Sequence, residues 1–301
     1  MKIAACRYEV GKPADFEAFA ARQRALLEQA AAQGVRVAVL PEYLSLELAA
    51  IHGPQVYADL HASLQAIQQH RQAWLALFSG LARELGMYIV AGSFLLDIGA
   101  GRHRNRADLF APDGGHQWQD KLQLTGFEKR TGVIVPGEAL KVVDVAGVRA
   151  GISICYDSEF PLPVRAQYEA GARLLLVPSC TDTAAGATRV RVGCLARALE
   201  NRFFVAQAVT AGDAPWSPAL DTNTGDAAIY APMDVGFPAD GILASAGAGQ
   251  EWAIAELDFA RLEDTRLTAQ VANDRDWPAQ LAPAIVRARV EGFDALPGAS
   301  G

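Results

Sequence analysis

Residues 151–161 read GISICYDSEFP and place a cysteine between a strand and a helix. The alternation from Val148 to Ile154 is typical of a buried strand, which delivers Cys155 to a polar, turn-prone segment. Pro161 then suits the first turn of a helix, where its missing N–H removes no helical hydrogen bond. This arrangement presents a nucleophile at a sheet edge and leaves the next N–H groups free to face an oxyanion. The alternative is an unreactive core cysteine, because free cysteine is among the most buried residue types.

Length and composition limit the classes of protein to which this chain can belong. Its 301 residues are about half hydrophobic and one fifth charged, which is ordinary for a soluble globular protein. A net charge of −7 argues against a nucleic-acid-binding surface, and no apolar run reaches the roughly 18 to 20 residues of a membrane span. The N-terminus turns polar too soon for a secretory signal. We therefore expect a cytoplasmic protein without nucleic-acid or membrane partners.

The spacing of cysteines and histidines indicates neither a disulfide framework nor a metal site. The four cysteines, at positions 6, 155, 180 and 194, are far apart and include no C-x-x-C pair. His52, His61 and His70 are nine residues apart, which suits neither a helical metal pair nor a zinc finger. We interpret these histidines as surface or packing residues, and we expect reduced thiols with no metal and no other cofactor.

Strand and helix patterns alternate along the chain and are interrupted by hairpins. Apolar runs at residues 36–40 and 173–177 predict strands buried on both faces, and residues 44–85 predict a connection followed by a helix from about residue 62. Hairpin turns are predicted at residues 112–115 and 146–147. A single parallel sheet would not need these hairpins. We therefore predict an α/β fold with two mixed sheets packed face to face, a four-layer α-β-β-α sandwich.

The chain shows no low-complexity linker that would divide it into several domains. From Pro278 onward the composition becomes rich in alanine, proline and glycine. We therefore predict one domain over residues 1–277 and an extended C-terminal tail over residues 278–301.

Three charged residues stand out for their position or surroundings. Glu42 directly follows the apolar run of residues 36–40, a position where open α/β sheets carry functional groups, although a solvated loop glutamate is the alternative. Lys121 and Glu128 lie among apolar and aromatic residues, which favours burial of an ion pair that would more often be solvated. All five histidines precede position 117 and none follows a strand. A carboxylate with a raised pKa would therefore have to serve as the base for Cys155.

These residues resemble the motifs of the nitrilase, or carbon–nitrogen hydrolase, superfamily. The resemblance spans Lys2 to about Leu257. The matching segments are Leu40-Pro41-Glu42, Asp120-Lys121-Leu122 with Glu128, Ile154-Cys155-Tyr156-Asp157 with Phe160-Pro161, the helix of residues 197–201, and Asn105. The superfamily implies an α-β-β-α sandwich that pairs into homodimers or larger homo-oligomers. Residues 180–191 further resemble its amidase-like branch.

The resemblance also implies a role for each matching residue. Glu42 would be the general base that takes the proton of Cys155 and returns it to the leaving ammonia or amine. Cys155 would attack a carbonyl or nitrile carbon and form a thioester. Lys121 and the backbone N–H of Tyr156 would stabilise the oxyanion, and Glu128 would orient Lys121 or the substrate nitrogen.

The segment Ser179-Cys180-Thr181 stands where many members of the superfamily have a Trp-Asn-type segment. This difference disfavours a bulky aromatic nitrile, and we expect these three residues to contribute to the substrate pocket. The favoured substrate is a small linear amide. N-carbamoyl amine hydrolysis, nitrile hydrolysis and acyl transfer to an amine remain alternatives with the same apparatus. A silent binding scaffold on this fold is the alternative from a different class.

Overall fold

The computed structural model of the protein describes residues 1–293. Its strands β1 to β13 span, in chain order, Lys2–Glu9, Val37–Val39, Tyr88–Asp97, His103–Phe110, His116–Asp120, Val142–Val145, Val148–Ile152, Leu174–Ser179, Phe204–Asp213, Thr222–Asn223, Ala227–Tyr230, Ile242–Ala246 and Trp252–Glu256. Its α-helices α1 to α9 span Phe16–Ala32, Pro54–Tyr57, Leu60–Ile67, Arg71–Leu85, Gly126–Thr131, Pro161–Glu169, Ala184–Asn201, Phe259–Asp264 and Asn273–Asp276.

The strands form two mixed sheets that are joined through strand β1. The first sheet has the order β5-β4-β3-β2-β1-β13 and the second the order β6-β7-β8-β9-β11-β12. Strand β1 joins them, because its last residues, Arg7 to Glu9, pair in parallel with Val209 to Ala211 of β9. Strands β2 and β3 pack against β8 and β9 across the interior, where the side chains are fully buried. The predicted pair of mixed sheets, packed face to face, is confirmed.

Helices cover the outer face of each sheet. Helices α1 and α4 pack on each other over the first sheet, and α6 and α7 pack over the second. Asp15 caps helix α1, because its carboxylate accepts a hydrogen bond from the N–H of Ala18, and the helix buries Phe19 and Leu27. Such N-caps satisfy donors that a helix leaves unpaired in its first turn. The four layers predicted from the sequence are present.

The prediction for residues 44–85 is wrong in two respects. Residues 44–52 form a 3₁₀ helix, and α2 and α3 follow it in place of an irregular connection. The predicted long helix is broken, because α3 ends at Ile67 and α4 begins only at Arg71. The side chain of Gln68 explains the break. Its amide donates to the carbonyl oxygens of Leu64 and Leu95, so it ties the helix end to β3.

The predicted tail lies only partly within the described residues. Trp277–Leu281 form a short 3₁₀ helix, so the predicted boundary at residue 278 falls inside a helical turn. Residues 282–293 form no helix or strand and are exposed, and residues 294–301 lie outside the part of the chain that the structure describes. The division of the chain at this boundary stays a prediction. Within residues 1–293, no helix combines the length and apolar character needed to cross a bilayer.

Candidate active site

The structure brings together the four residues that the sequence singled out for chemistry. Glu42 follows β2 and Lys121 follows β5, both in the first sheet, while Glu128 lies on α5. Cys155 follows β7 in the second sheet. Because the two sheets face each other, residues from separate sheets converge on one buried point.

Lys121 lies between two carboxylates. Its Nζ is 2.8 Å from Oε1 of Glu42 and 2.8 Å from Oε2 of Glu128, and at most 1% of any of the three side chains is exposed. Three charges buried at this distance are expensive to remove from water, and such a group persists only with good geometry and further hydrogen bonds. The predicted burial of Lys121 and Glu128 is confirmed.

Tyr43 and Asn105 complete the hydrogen bonding of the two carboxylates. Nδ2 of Asn105 donates to Oε1 of Glu42 at 2.7 Å and to Oε1 of Glu128 at 3.2 Å. The hydroxyl of Tyr43 donates to Oε1 of Glu128 at 2.8 Å. Asn105 entered the sequence interpretation only through the family resemblance, and Tyr43 was missed. The one feature of the sequence that pointed to Tyr43 was its position next to Glu42.

The loop that carries Glu42 is fixed by unusual backbone geometry. Tyr43 adopts a left-handed conformation with φ of 63°, and its N–H donates to Oγ of Ser93 at 2.9 Å. Gly92 in β3 also has positive φ, and a Cβ there would collide with the carbonyl oxygen of Pro41. Only glycine permits this close approach. The base candidate is therefore held by the backbone of two neighbouring strands.

The two carboxylates have different proton affinities. Burial raises the pKa of Glu42, and the charge of Glu128 raises it further, against the opposing effect of Lys121. Burial acts to raise the pKa of Glu128 as well, but Lys121, Thr125 and Tyr43 stabilise its ionised form and hold its pKa below the usual value. When the pKa values of two neighbouring carboxyl groups are pushed apart, the group with the higher pKa can accept a proton while the other stays ionised. Glu42 is the better base of the two.

The pKa of Lys121 is well above its ordinary value. Burial alone would lower it, but the charges of Glu42, Glu128 and Cys155 outweigh that effect. Lys121 therefore remains an ammonium group, a permanent donor for an anion that develops beside it.

Cys155 occupies a tight turn at the end of β7. It has φ of 50°, a region that costs a non-glycine residue of order 1–3 kcal/mol, and residues 155–159 form a 3₁₀ turn before α6 begins at Pro161. Burial raises the pKa of its thiol well above the usual value, and the charge of Glu42 adds to this. Glu42 and Cys155 line the same cavity, and the Glu42 charge acts on the thiol, so Cys155 is a protonated nucleophile beside a base.

Asp157 links the loop of Lys121 to the loop of Cys155. Its carboxylate accepts from the N–H groups of Leu122 at 3.1 Å, Gln123 at 2.6 Å and Ile154 at 3.2 Å. Burial raises the pKa of Asp157 to about 6 despite these three donors. The sequence analysis placed Asp157 in a family motif without giving it a role. The structure shows that Asp157 ties the loop of Lys121 to the loop of Cys155.

A cavity of about 460 Å³ opens onto this group. Glu42, Lys121 and Cys155 lie at its floor, and twenty residues form its lining: Glu42, Tyr43, Lys121, Thr125, Gly126, Phe127, Arg130, Cys155, Tyr156, Glu159, Cys180, Thr181, Asp182, Gly186, Arg189, Val190, Pro218, Ala219, Asp221 and Thr222. The volume is in the range of sites for small molecules.

The predicted pocket residues divide into two groups. Cys180, Thr181 and Tyr156 line the cavity, whereas Ser179 does not. The hydroxyl of Ser179 instead donates to the carbonyl oxygen of Ala208 at 2.5 Å, and the residue is fully buried. Including Ser179 among the pocket residues is therefore wrong, because alternation along β8 turns its side chain away from the cavity.

Within residues 1–293, no three or more histidine, cysteine, aspartate or glutamate side chains are arranged to bind a metal ion. His52 and His70 contact each other, with their Nε2 atoms 2.9 Å apart.

Comparison with known proteins places the chain in a family. The sequence profile described as "Carbon-nitrogen hydrolase" matches residues 2–267. The chain belongs to the carbon–nitrogen hydrolase family. Its nitrilase-superfamily resemblance is thereby confirmed over nearly the whole chain.

Relatives of this carbon–nitrogen hydrolase include proteins named as amidases. It is 29% identical over 281 residues to the "Probable hydrolase YhcX" of Bacillus subtilis, covering 91% of this chain and 53% of YhcX. The chain thus spans about half the length of that relative. It is 25% identical to "Omega-amidase NIT2" of Danio rerio (84% of this chain, 88% of NIT2).

Solved structures of the superfamily share the fold. Nit3 of Saccharomyces cerevisiae superimposes with a TM-score of 0.71 at 23% identity, covering 91% of this chain and 96% of Nit3. An amidase from Nesterenkonia superimposes with a TM-score of 0.67 at 24% identity, covering 92% of this chain and 96% of the amidase. These likenesses establish the architecture of this carbon–nitrogen hydrolase.

Proposed function

We propose that the protein hydrolyses the carbon–nitrogen bond of a small linear amide and releases ammonia through a cysteine thioester. The observation that carries the proposal is the buried group of Glu42, Lys121 and Glu128 beside the thiol of Cys155. The amidases among its relatives support the same chemistry.

The steps follow from the positions of the groups. Cys155 passes its proton to Glu42 while its sulfur attacks the amide carbon. The Nζ of Lys121 and the N–H of Tyr156 stabilise the oxyanion, and Glu128 keeps Lys121 charged and oriented. When the tetrahedral intermediate collapses, Glu42 gives its proton to the leaving ammonia. Glu42 then takes a proton from water, whose attack on the thioester releases the acid and restores the thiol.

The cost of the buried charges argues against a silent binding scaffold. Two carboxylates and one ammonium, each with at most 1% of its side chain exposed, carry a desolvation cost that apolar side chains would not, and a role in chemistry explains why they are kept. A scaffold could replace them with apolar side chains at little or no cost in stability. Hydrolysis of N-carbamoyl amines or nitriles uses the same groups, and the substrate panel below separates these reactions.

Intact-mass spectrometry tests the proposal directly. The wild type and the Cys155→Ala variant are exposed to small amides, N-carbamoyl amines and nitriles, and released ammonia is assayed in parallel. We expect an acyl adduct and ammonia from amides with the wild type alone, while Cys155→Ala keeps its circular dichroism spectrum. Ammonia release by Cys155→Ala at the wild-type rate would refute the thioester route.

We also propose that the protein forms a homodimer through the outer helices of the second sheet. Leu162 on α6 and Val192 on α7 are large apolar residues with 66% and 57% of their surface exposed. Light scattering of the wild type and a Val192→Asp variant tests this. A wild type that is monomeric at micromolar concentration would refute it.

A further inference from the structure

The cavity holds a second cysteine beside the candidate nucleophile. The thiol of Cys155 donates a hydrogen bond to the carbonyl oxygen of Cys180 at 3.4 Å, and both side chains line the cavity. The proposed hydrolysis uses only the first of these thiols. A reactive thiol with a second thiol beside it is the arrangement on which reversible oxidation depends.

The sheet places the two cysteines on neighbouring strands. Strands β7 and β8 are parallel, with Ile152 opposite Leu176, and Cys155 and Cys180 lie three and four residues after this pair. A carbonyl oxygen lies within about 3 Å of its own Cα. The sulfur of Cys155 is therefore within about 6 Å of the Cα of Cys180, which places the two residues next to each other.

The side chain of Cys180 has little to hold it away from Cys155. Its thiol donates to Oδ1 of Asn223 at 3.3 Å, a weak sulfur hydrogen bond, and the residue is half-buried. Cysteine has a single side-chain torsion, so rotation about the Cα–Cβ bond of Cys180 is the motion by which its sulfur would leave Asn223 for Cys155. The other two cysteines, Cys6 and Cys194, are fully buried and do not line this cavity.

We propose that Cys180 is a resolving thiol, which forms a disulfide with Cys155 when a hydroperoxide enters the cavity. The inference rests on the proposed function, because Glu42 must accept the proton of Cys155 in both reactions. The disulfide blocks the nucleophile and stops its oxidation before the irreversible sulfinic acid.

The reaction balances with hydrogen peroxide as the oxidant. Cys155 gives its proton to Glu42, and its sulfur attacks one peroxide oxygen. The O–O bond breaks, the leaving hydroxide takes the proton from Glu42 as water, and Cys155 becomes a sulfenic acid. The sulfur of Cys180 then attacks that of Cys155, the S–O bond breaks, and the leaving hydroxide takes the Cys180 proton as a second water. Two thiols lose two electrons, and one peroxide gains them.

Peptide mapping after peroxide treatment tests the inference. The full-length wild type, Cys180→Ser and Cys194→Ser are treated with hydrogen peroxide, and remaining thiols are alkylated. Each protein is then mapped without reduction, and its ammonia release is measured before oxidation, after oxidation and after dithiothreitol. In the wild type and in Cys194→Ser we expect a Cys155–Cys180 disulfide, complete loss of activity, and recovery with dithiothreitol. In Cys180→Ser we expect sulfinic or sulfonic acid at Cys155 and no recovery.

Three outcomes would overturn the inference: no disulfide in the wild type, a disulfide that joins two chains, or overoxidation of Cys155 equally fast in the wild type and Cys180→Ser. The mapping needs no substrate, so the two proposals fail separately. Amide turnover without the disulfide refutes only the resolving thiol. A disulfide in a protein that turns over no amide refutes only the proposed hydrolysis.

Discussion

Replacing Glu128 by glutamine removes one charge from the buried cluster and keeps the size of the side chain. The carboxylate accepts five hydrogen bonds: Oε1 from Tyr43 and Asn105, and Oε2 from Lys121 and from the N–H and hydroxyl of Thr125. A glutamine amide has one oxygen and one NH₂ group. In either orientation its NH₂ faces at least two of these donors, so the variant loses hydrogen bonds as well as charge.

The effect on Glu42 can be estimated from the distances. Oxygens of Glu42 and Glu128 each lie 2.8 Å from Nζ of Lys121, so they are no more than about 6 Å apart. At an effective dielectric constant of ~20, two charges at this distance repel by about 3 kcal/mol, equivalent to about two pH units. The charge of Glu128 raises the pKa of Glu42, so its removal lowers that pKa and weakens the base.

The assay is the pH profile of kcat/KM for ammonia release. Ionisation of Glu42 governs the acidic limb, so in Glu128→Gln we expect this limb to move about one to two pH units lower and the plateau to fall about tenfold or more. Glu84→Gln is the matched control, because 53% of the Glu84 side chain is exposed and its ion pair with Arg24 joins α4 to α1 on the outer face of the first sheet. An acidic limb at the same pH in Glu128→Gln and wild type would refute the assignment of Glu42 as the base.

Three further substitutions test separate parts of the site. Lys121→Ala is expected to lower kcat by roughly 10²- to 10³-fold, the cost of an oxyanion donor, and a loss below tenfold would contradict that role. The pKa of Asp157 is about 6 in the folded protein, against 3.8 ordinarily, so the folded state binds this proton more tightly than the unfolded state does. The protonated carboxyl therefore stabilises the fold at low pH, and this stabilisation is lost as the pH rises through 6. Between pH 4 and 7, urea titrations should therefore show the free energy of unfolding of the wild type falling by about 2 kcal/mol relative to Asp157→Asn; parallel curves would be the contrary result. Thr181 lines the cavity, and Thr181→Val removes its hydroxyl, which donates to the carbonyl oxygen of Thr224. The variant is expected to change relative kcat/KM among amides, whereas an unchanged substrate profile would count against Thr181 as a pocket residue.

Strand ends carried most of the predictive signal for the site. Glu42 and Cys155 were found because an apolar run ends at each of them, and the residues that follow a buried strand reach the edge of a sheet. Lys121 and Glu128 had a weaker local signal and depended on the family resemblance. Lys121 pairs with Glu42 across 79 residues of chain and Glu128 bonds to Tyr43 across 85, and periodicity does not encode such tertiary contacts.

The residues that the sequence analysis missed act through hydrogen bonds that depend on the tertiary fold. Tyr43 reaches Glu128 only because its backbone turns into the left-handed region, and Asp157 binds N–H groups that are distant in sequence. The break between α3 and α4 was missed for a similar reason. Gln68 is an ordinary helical residue by propensity, but its side chain is recruited by the backbone of β3.

The strand shared by the two sheets has a consequence for synthesis on the ribosome. Within the first sheet β1 pairs with β13, so that Lys2 lies opposite Glu256, and its end pairs with β9. Strand β1 is therefore synthesised some two hundred residues before β9 and β13, with which it pairs. Until then the nascent chain carries an apolar strand with an open edge, which favours association with other chains. Translation speed and chaperone supply should govern the yield of this protein more than the stability of its finished fold.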